Sequence, residues 1–560
     1  MKRSKFLSLT MASLISLGAL VGCGGTPAGP SSSGGESTNE PQGDSNKVVL
    51  TVATYDGGIG HKWLEDAEKR FEAIYGNSTQ FGKEGVDVVV SYNKGNYNGE
   101  NLFEKRQLDK DVYLTEGVDY AGFVKENLVA DITDVAKGAA YGETVEVDGT
   151  IEDKLDESFK EFLTANDAGK YYMLPFYDGF YGFIYDIDLF EEQGFYIGSN
   201  GAFIARNEGE TQEAFDARKS AGPNGVAGDY DDGLPATYAE FESLLKQITK
   251  KSITPFAYSG KYTGYVNKAC RSFAIDYEGY EGSRINYTLF GEDVDLIKVD
   301  DSGKITHDTM DINESNAYEL QRQAGRYYAM MMEEKLFGSV DYIGSYNSDD
   351  FTKAQDKFVK SFFTGDQYAM LVDGVWWENE AENSFTFSKN TWKKGKEDRR
   401  FGLLPLPKAD ASRAGEQTLF SANRSFCFVN KNCANMDLAK EFVRFLHSDA
   451  EMSKFTAKTS VPRSFNYDVS AEDRVSATYY GKAIIDMRAQ SKVVYPYSSS
   501  KLVLNNPTTF GADEWYFSTT IGSDIGIINP FVSFKGETTA ISYFNGMYTY
   551  HKDQWNKLRK

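Results

Sequence analysis

The chain is 560 residues long, 41% hydrophobic and 25% charged, with 82 acidic against 60 basic side chains and a net charge of −22. That length is more than one hydrophobic core organises, and so negative a surface excludes nucleic acid and a polybasic grip on anionic lipid. The four histidines and four cysteines are scattered with no HExxH or CxxC among them, which excludes a zinc constellation.

The first residues, MKRSKFLSLTMASLISLGALVGC, place Lys2, Arg3 and Lys5 ahead of an apolar run from Phe6 to Val21 and small residues before Cys23. This is the pattern of an export signal. The run is too short and too rich in Ser and Gly for a membrane span, which needs about 20 apolar residues. Leu20, Val21, Gly22 and Cys23 resemble the lipobox of bacterial lipoproteins. That resemblance implies a signal peptide over 1–22, cleavage before Cys23 and a diacylglyceryl thioether on its sulfur; two acyl chains anchor stably where one binds only marginally. Residues 24–46 are Gly, Ser, Pro, Thr and other polar residues, a tether spanning roughly 25 to 30 Å root-mean-square. With Cys23 lipidated, Cys270, Cys427 and Cys433 remain; a Cys427 to Cys433 pair is left open, and no disulfide framework follows.

The folded part opens with KVVLTVATY, Lys47 to Tyr55, a β-branched run ending in Asp56, Gly57 and Gly58. Leu64, Ala67, Phe71, Ile74 and Tyr75 then fall on one helical stripe, and VDVVVSY, Val86 to Tyr92, reads as a second buried strand. Strand, helix, strand predicts a parallel sheet whose ligand edge lies where the strands end, which brings Tyr55 and Asp56 to that edge. Val112 to Leu114 forms the next strand, Glu116 stands at its end, and a helix runs on toward Leu128. Glu116 suits either a ligand or the positive end of that helix.

The stretch YYMLPFYDGFYGFIYD, Tyr171 to Asp186, crowds tyrosine and phenylalanine beside carboxylates. Aromatic rings cover the apolar faces of a sugar while carboxylates and phenols meet its hydroxyls. Met173, Leu174, Phe183 and Ile184 read as core, and Tyr177, Asp178 and Tyr181 as cleft residues. LPATYAEFESLLKQI, Leu234 to Ile248, carries a capping box of Thr237 and Glu240 and is a scaffold helix. FTGDQYAMLVDGVWWENEA, Phe363 to Ala381, contains a strand, a turn and adjacent Trp376 and Trp377, only one of which can face a ligand. Residues 194–232 are rich in Gly, Asn and charge, and 279–313 form a long acidic region. GDYDDG, 228–233, invites a calcium reading, but the EF-hand order fails because Tyr230 and Ala239 sit where ligands are needed, and no metal or cofactor is assigned.

Together the lipobox, the tether, the strand-helix-strand start, NLVADIT, YYMLPFY…GFIYDIDLFEEQGF, the Trp loop, FGLLPLPKAD and TAKTSVPRSFN resemble the carbohydrate-type extracellular solute-binding proteins of bacterial ABC importers (solute-binding protein family 1) over most of 47–465. The resemblance implies an α/β fold: a two-lobed, periplasmic-binding-protein-like clamp with parallel-type sheets and hinge crossings, against whose plan 194–232 and 279–313 are insertions that either cap a groove or decorate the outside. Lobe one is expected over 47–175 plus about 411–462 and lobe two over 176–410 plus about 463–560. It implies a monomer tethered outside the cell membrane that captures an oligosaccharide and delivers it to ABC permease subunits, without catalysis. The ligand residues are then Tyr55, Asp56, Glu116, Tyr177, Asp178, Tyr181, Trp376 and Trp377, with Arg424 in SANRSF for an acidic sugar. A lipid-anchored glycan-binding surface protein and a glycoside hydrolase using Asp178 and Glu116 are the alternatives.

Overall fold

The computed structural model of the protein describes residues 43–504, 530–534 and 538–558. The signal peptide, Cys23 and the tether up to residue 42 lie outside them. The tether's last residues are docked: the Asp44 backbone N–H donates to Asp87 at 2.6 Å and Lys83 Nζ to the Ser45 carbonyl at 2.8 Å.

The chain is α/β and two-lobed, with one main sheet in each lobe. The first sheet has the order β2-β1-β3-β14-β4. β1 (Val48–Thr54) runs parallel to β2 (Val86–Tyr92) and β3 (Val112–Glu116), while β4 (Met173–Pro175) and β3 flank β14 (Ser425–Val429) in antiparallel register. The helix Lys62–Tyr75 covers β1 and β2 with Leu64, Ala67, Phe71 and Tyr75; Ile74, expected on that stripe, is 40% exposed and Trp63 is buried instead. At 100° per residue Ile74 lies at the rim of the stripe, where Trp63 supplies more apolar area. The helix after Glu116, Tyr120–Lys125, ends before Leu128, because Asn127 takes a left-handed conformation at φ 57°.

The second sheet has the order β12-β5-β11-β8. β5 (Tyr181–Asp186) pairs antiparallel with β11 (Tyr368–Gly374) and β12 (Phe401–Leu403), and β8 (Thr254–Ala257) runs parallel to β11. Both sheets are therefore mixed where parallel ones are expected. A strand whose chain has just crossed from the other lobe re-enters against the local strand direction, as β5 and β14 do. The core expected at β4 and β5 is there: Met173, Leu174, Phe183 and Ile184 are fully buried, and Phe183 packs on Phe241, Phe256 and Phe273. Phe241 belongs to the helix Tyr238–Lys250, whose Thr237 caps the Glu240 N–H at 3.2 Å while Glu240 accepts from the Ala236 N–H.

Both insertions are ordered. In 194–232, β6 (Tyr196–Ile197) and β7 (Phe203–Ile204) form a hairpin followed by the helix Gln212–Asp216. In 279–313, the helix Gly264–Thr288 breaks at Gly279 (φ 70°) and leads into the hairpin of β9 (Gly291–Val299) and β10 (Ile305–Ile312). Leu289, Leu296, Ile312 and Leu320 close a separate small core around Trp555 of the helix Ala540–Leu558. No described helix is long and apolar enough to cross a membrane. Cys270, Cys427 and Cys433 are all free thiols, so the open Cys427 to Cys433 pair does not form.

The connections between the sheets lie side by side. Phe176 N–H donates to the Ser425 carbonyl at 3.0 Å, Ala422 N–H to that of Gly179 at 3.0 Å, and Asp178 N–H to that of Pro462 at 2.9 Å. β13 (Gln417–Phe420) and β15 (Ser491–Val494) form a short parallel pair beside this hinge. Arg463 is buried there between the rings of Phe176 and Phe455, at 5.1 and 5.2 Å, and His447 Nε2 accepts from it at 3.0 Å. Burial and the guanidinium drive the His447 imidazole down to about 3, so it is neutral and its Nδ1–H donates to the Val443 carbonyl.

Candidate functional site

Strand direction brings the chemistry to one edge. β1 and β3 are parallel, so Tyr55 and Glu116 emerge together, and the Tyr55 N–H donates to the Leu114 carbonyl at 2.9 Å. β14 opposes β3 with Ser425 across from Glu116, which puts Asn423 at the same edge, and Tyr177 lies just past the end of β4. From the other lobe, Tyr181 opposes Gly374, so the start of β5 and the end of β11 present Tyr181 and Trp376.

These side chains form a continuous line across the seam. The Tyr177 hydroxyl donates to Glu116 Oε1 and accepts from Asn423 Nδ2 at 3.1 Å. Tyr181 reaches Asn423 Oδ1 at 3.5 Å, and its ring meets Trp376 edge-on with centroids 5.0 Å apart. Trp376 in turn lies over Gly58, where a Cβ would sit 1.9 Å from the indole Cδ1; next to it, a Cβ on Gly57 would meet Tyr55 and Glu116. Only a residue without a side chain lets the indole approach the backbone so closely.

Electrostatics follow burial. Burial pushes the Glu116 carboxyl up, while the Tyr177 hydrogen bond, Lys94 and Lys268 pull it back. Burial and Glu116 together hold the Tyr177 and Tyr55 phenols far above their usual range, so both remain donors. Lys94, after β2, reaches across the seam to Glu380 at 3.9 Å and lies 5.1 Å from the Phe351 ring centroid. Glu380 shares one donor with Asp373: Gln355 Nε2 is 2.9 Å from each carboxylate, desolvation pushes both carboxyls up, and the charge of Glu380 adds to the rise at Asp373. Lys268 lies over the Tyr181 ring at 4.8 Å.

Of the nine expected ligand residues, the structure brings Tyr55, Glu116, Tyr177, Tyr181 and Trp376 together. Asp56 is in the same loop but its Oδ1 is 2.9 Å from His61 Nδ1, and His61 stacks on Tyr92. Asp178 corrects the sequence reading: it is fully buried behind the hinge, where Arg488 Nε donates to its Oδ2 at 3.1 Å. The hydrogen bond from its N–H to Pro462 turns the side chain away from the edge that Tyr177 faces. Trp377 is also corrected. It opens the helix Trp377–Glu380 with no exposure and packs on Phe358, Phe385, Phe401 and Tyr480. Arg424 adjoins the site through its carbonyl, which accepts from the Val118 N–H at 3.3 Å. Asn423, Lys94, Lys268 and Glu380 were missed. Asn423 and Glu380 stand within motifs already singled out, SANRSF and WWENEA; the two lysines have no local signal.

Residues 63–453 match the family described as bacterial extracellular solute-binding protein. Among solved structures, the chain is similar to the apo form of RafE from Streptococcus pneumoniae at 15% identity and a TM-score of 0.50, over 93% of this chain and 100% of that one. It is similar to the cyclic alpha-maltosyl-1,6-maltose binding protein from Arthrobacter globiformis at 12% identity and a TM-score of 0.51, over 91% and 100%. No curated protein matches the sequence.

Proposed function

The chain belongs to the bacterial extracellular solute-binding proteins, and from that premise we propose that it captures a neutral oligosaccharide between its lobes and hands it to an ABC importer. The observation that carries the sugar reading is the seam itself: an indole and two phenols from both sides, lined up with a carboxylate and an amide. Rings of this kind take the apolar faces of a pyranose, and Glu116, Tyr177 and Asn423 meet its hydroxyls. A structural neighbour named for binding a cyclic maltosyl saccharide points the same way. Glu116, in the middle of this line, disfavours an anionic sugar at that point. Lobe one is taken as 47–175 with 425–459, starting later than the expected 411 because β13 pairs with β15.

Catalysis is not part of this reading. Asp178, the partner a hydrolase would need for Glu116, is committed to Arg488. The lipobox-like LVGC supports a protein held outside the membrane by lipid on Cys23, and the same reading takes it to act there as a monomer with the permease subunits.

The test is titration calorimetry with xylo-, manno-, gluco- and galacto-oligosaccharides of increasing length, followed by a search for shortened products. Heat with at least one glycan and no cleavage is the expected result. Silence with every neutral glycan, combined with heat from peptides or organic anions, would overturn the carbohydrate reading.

A further inference from the structure

The insertion 194–232 closes with the loop from Gly222 to Gly233, and there three carboxylates converge. One oxygen from each of Asp229, Asp231 and Asp232 lies within 4.8 Å of the others. That is the largest spacing two ligands can have when each is about 2.4 Å from a shared ion, the usual calcium to oxygen distance.

Each of the last two carboxylates is split between two tasks. Asp231 Oδ2 accepts from the Asn224 backbone N–H at 2.9 Å, and Asp232 Oδ2 accepts from that of Gly228 at 2.7 Å, so one oxygen of each fixes the loop. The other oxygen of each, Oδ1, is buried without a hydrogen-bond donor. Asp231 is only 1% exposed. A buried carboxylate oxygen with no donor is costly, and here it stands beside two further negative groups. The adjacent Lys219 offsets only part of this charge, at Asp232, because its Nζ also pairs with Asp216 at 2.7 Å and lies 4.1 Å from the Tyr196 ring centroid.

We propose that Asp229, Asp231 and Asp232 form a calcium site that ties the insertion to the second lobe. The donors are all hard oxygens with neither histidine nor cysteine among them, which selects calcium or magnesium over zinc or copper. Three protein carboxylates converging on one point suit calcium, which takes most of its ligands from the protein, better than magnesium, which keeps several waters and binds through one or two carboxylates. The site also has a structural role to fill. Pro223 accepts from the Gly415 N–H at 3.3 Å, and Gly233 N–H donates to the Ser220 carbonyl at 2.7 Å, so the loop joins the hairpin of β6 and β7 to the segment that leads into β13. An ion there would cancel the repulsion and lock that junction. It is an aspartate arrangement outside the EF-hand order, because Tyr230 takes a place where that motif has a ligand.

The experiment uses the full exported chain, stripped with a chelator and dialysed. Metal analysis after dialysis against calcium should find about one bound ion per chain, and calcium should raise the thermal midpoint more than magnesium does. Asp231→Asn should abolish the calcium-dependent shift, and Asp229→Asn, at a less buried position, should weaken the calcium midpoint by at least about tenfold. If Asp231→Asn does not fold, Asp229→Asn decides. The proposal is overturned if the wild-type midpoint ignores calcium but rises on mild acidification, which would mean a proton relieves the cluster. It is equally overturned if either variant keeps the full wild-type response.

Discussion

Trp376 and Trp377 are neighbours in sequence with opposite surroundings. The Trp376 ring spans the seam between Tyr181 and the Gly58 backbone, whereas Trp377 sits among Phe358, Phe401 and Tyr480 with no exposure. Trp376→Ala is expected to lower affinity for the bound glycan by about 10- to 100-fold, as loss of an aromatic anchor does, and to leave the denaturant midpoint close to wild type. Trp377→Ala should instead cost about 3 to 5 kcal/mol of stability. Calorimetry and chemical denaturation on the two variants separate these outcomes, and a reversed pattern would relocate the site. That only one of two adjacent indoles faces a ligand was legible from side-chain geometry, but which one depends on packing between elements. Asp178 shows the same limit. Its place one residue after Tyr177 reads as cleft, yet a single backbone hydrogen bond to Pro462, from a segment nearly three hundred residues away in sequence, turns it toward Arg488. Lys94 and Lys268 were illegible because nothing local marks a lysine that meets its partners only across the seam.

At the level of elements, the periodic patterns were read well and the pairings were not. The stripe of the helix Lys62–Tyr75, the capped helix Tyr238–Lys250 and the strands β1, β2, β3 and β11 follow from local period and capping. The mixed direction of both sheets follows from the route of the chain between lobes, which no local pattern carries. The short helix Trp377–Glu380 brings a consequence for pH. Glu378 is 1% exposed; Thr478 and Ser460 donate to its Oε2, yet burial still pushes its carboxyl from 4.5 up to about 7. Between those values the folded chain keeps a proton that the unfolded chain has lost. Stability from this group is therefore full below the unfolded pKa and declines as pH rises to the folded one, by on the order of 3 kcal/mol. Glu378→Gln should remove that slope. Urea midpoints measured from about pH 5 to about pH 8 on both proteins check it, and an identical slope in the variant would mean other carboxyls dominate.

For the whole molecule, the question is what holds the lobes together at the seam. Contacts that cross it include Trp376 on Gly58, Lys94 to Glu380 at 3.9 Å, Tyr181 to Asn423 Oδ1 at 3.5 Å, and Asn379 Nδ2 to the Thr459 carbonyl at 2.5 Å. The ion pair is loose and partly exposed and so contributes little, which leaves the indole on the glycine as the contact most sensitive to shape. A clamp responds to ligand only through a difference in affinity between its open and closed states, so altering this contact from the Gly58 side should move the equilibrium while the residues proposed to face the sugar keep their identities. Gly58→Val places a branched side chain where even a Cβ would lie 1.9 Å from the ring. The variant should fold normally, show a larger radius of gyration in solution scattering, and bind its glycan more weakly because closure is opposed. Adding Trp376→Ala to Gly58→Val removes the clash, so the double variant should return to the compact envelope even though the indole's own contribution to binding is gone. That reversal separates a wedge from a simple loss of contact. If Gly58→Val scatters like wild type, the indole has swung aside within its own lobe, and closure is governed by the hinge segments around Phe176, Ala422 and Pro462 instead.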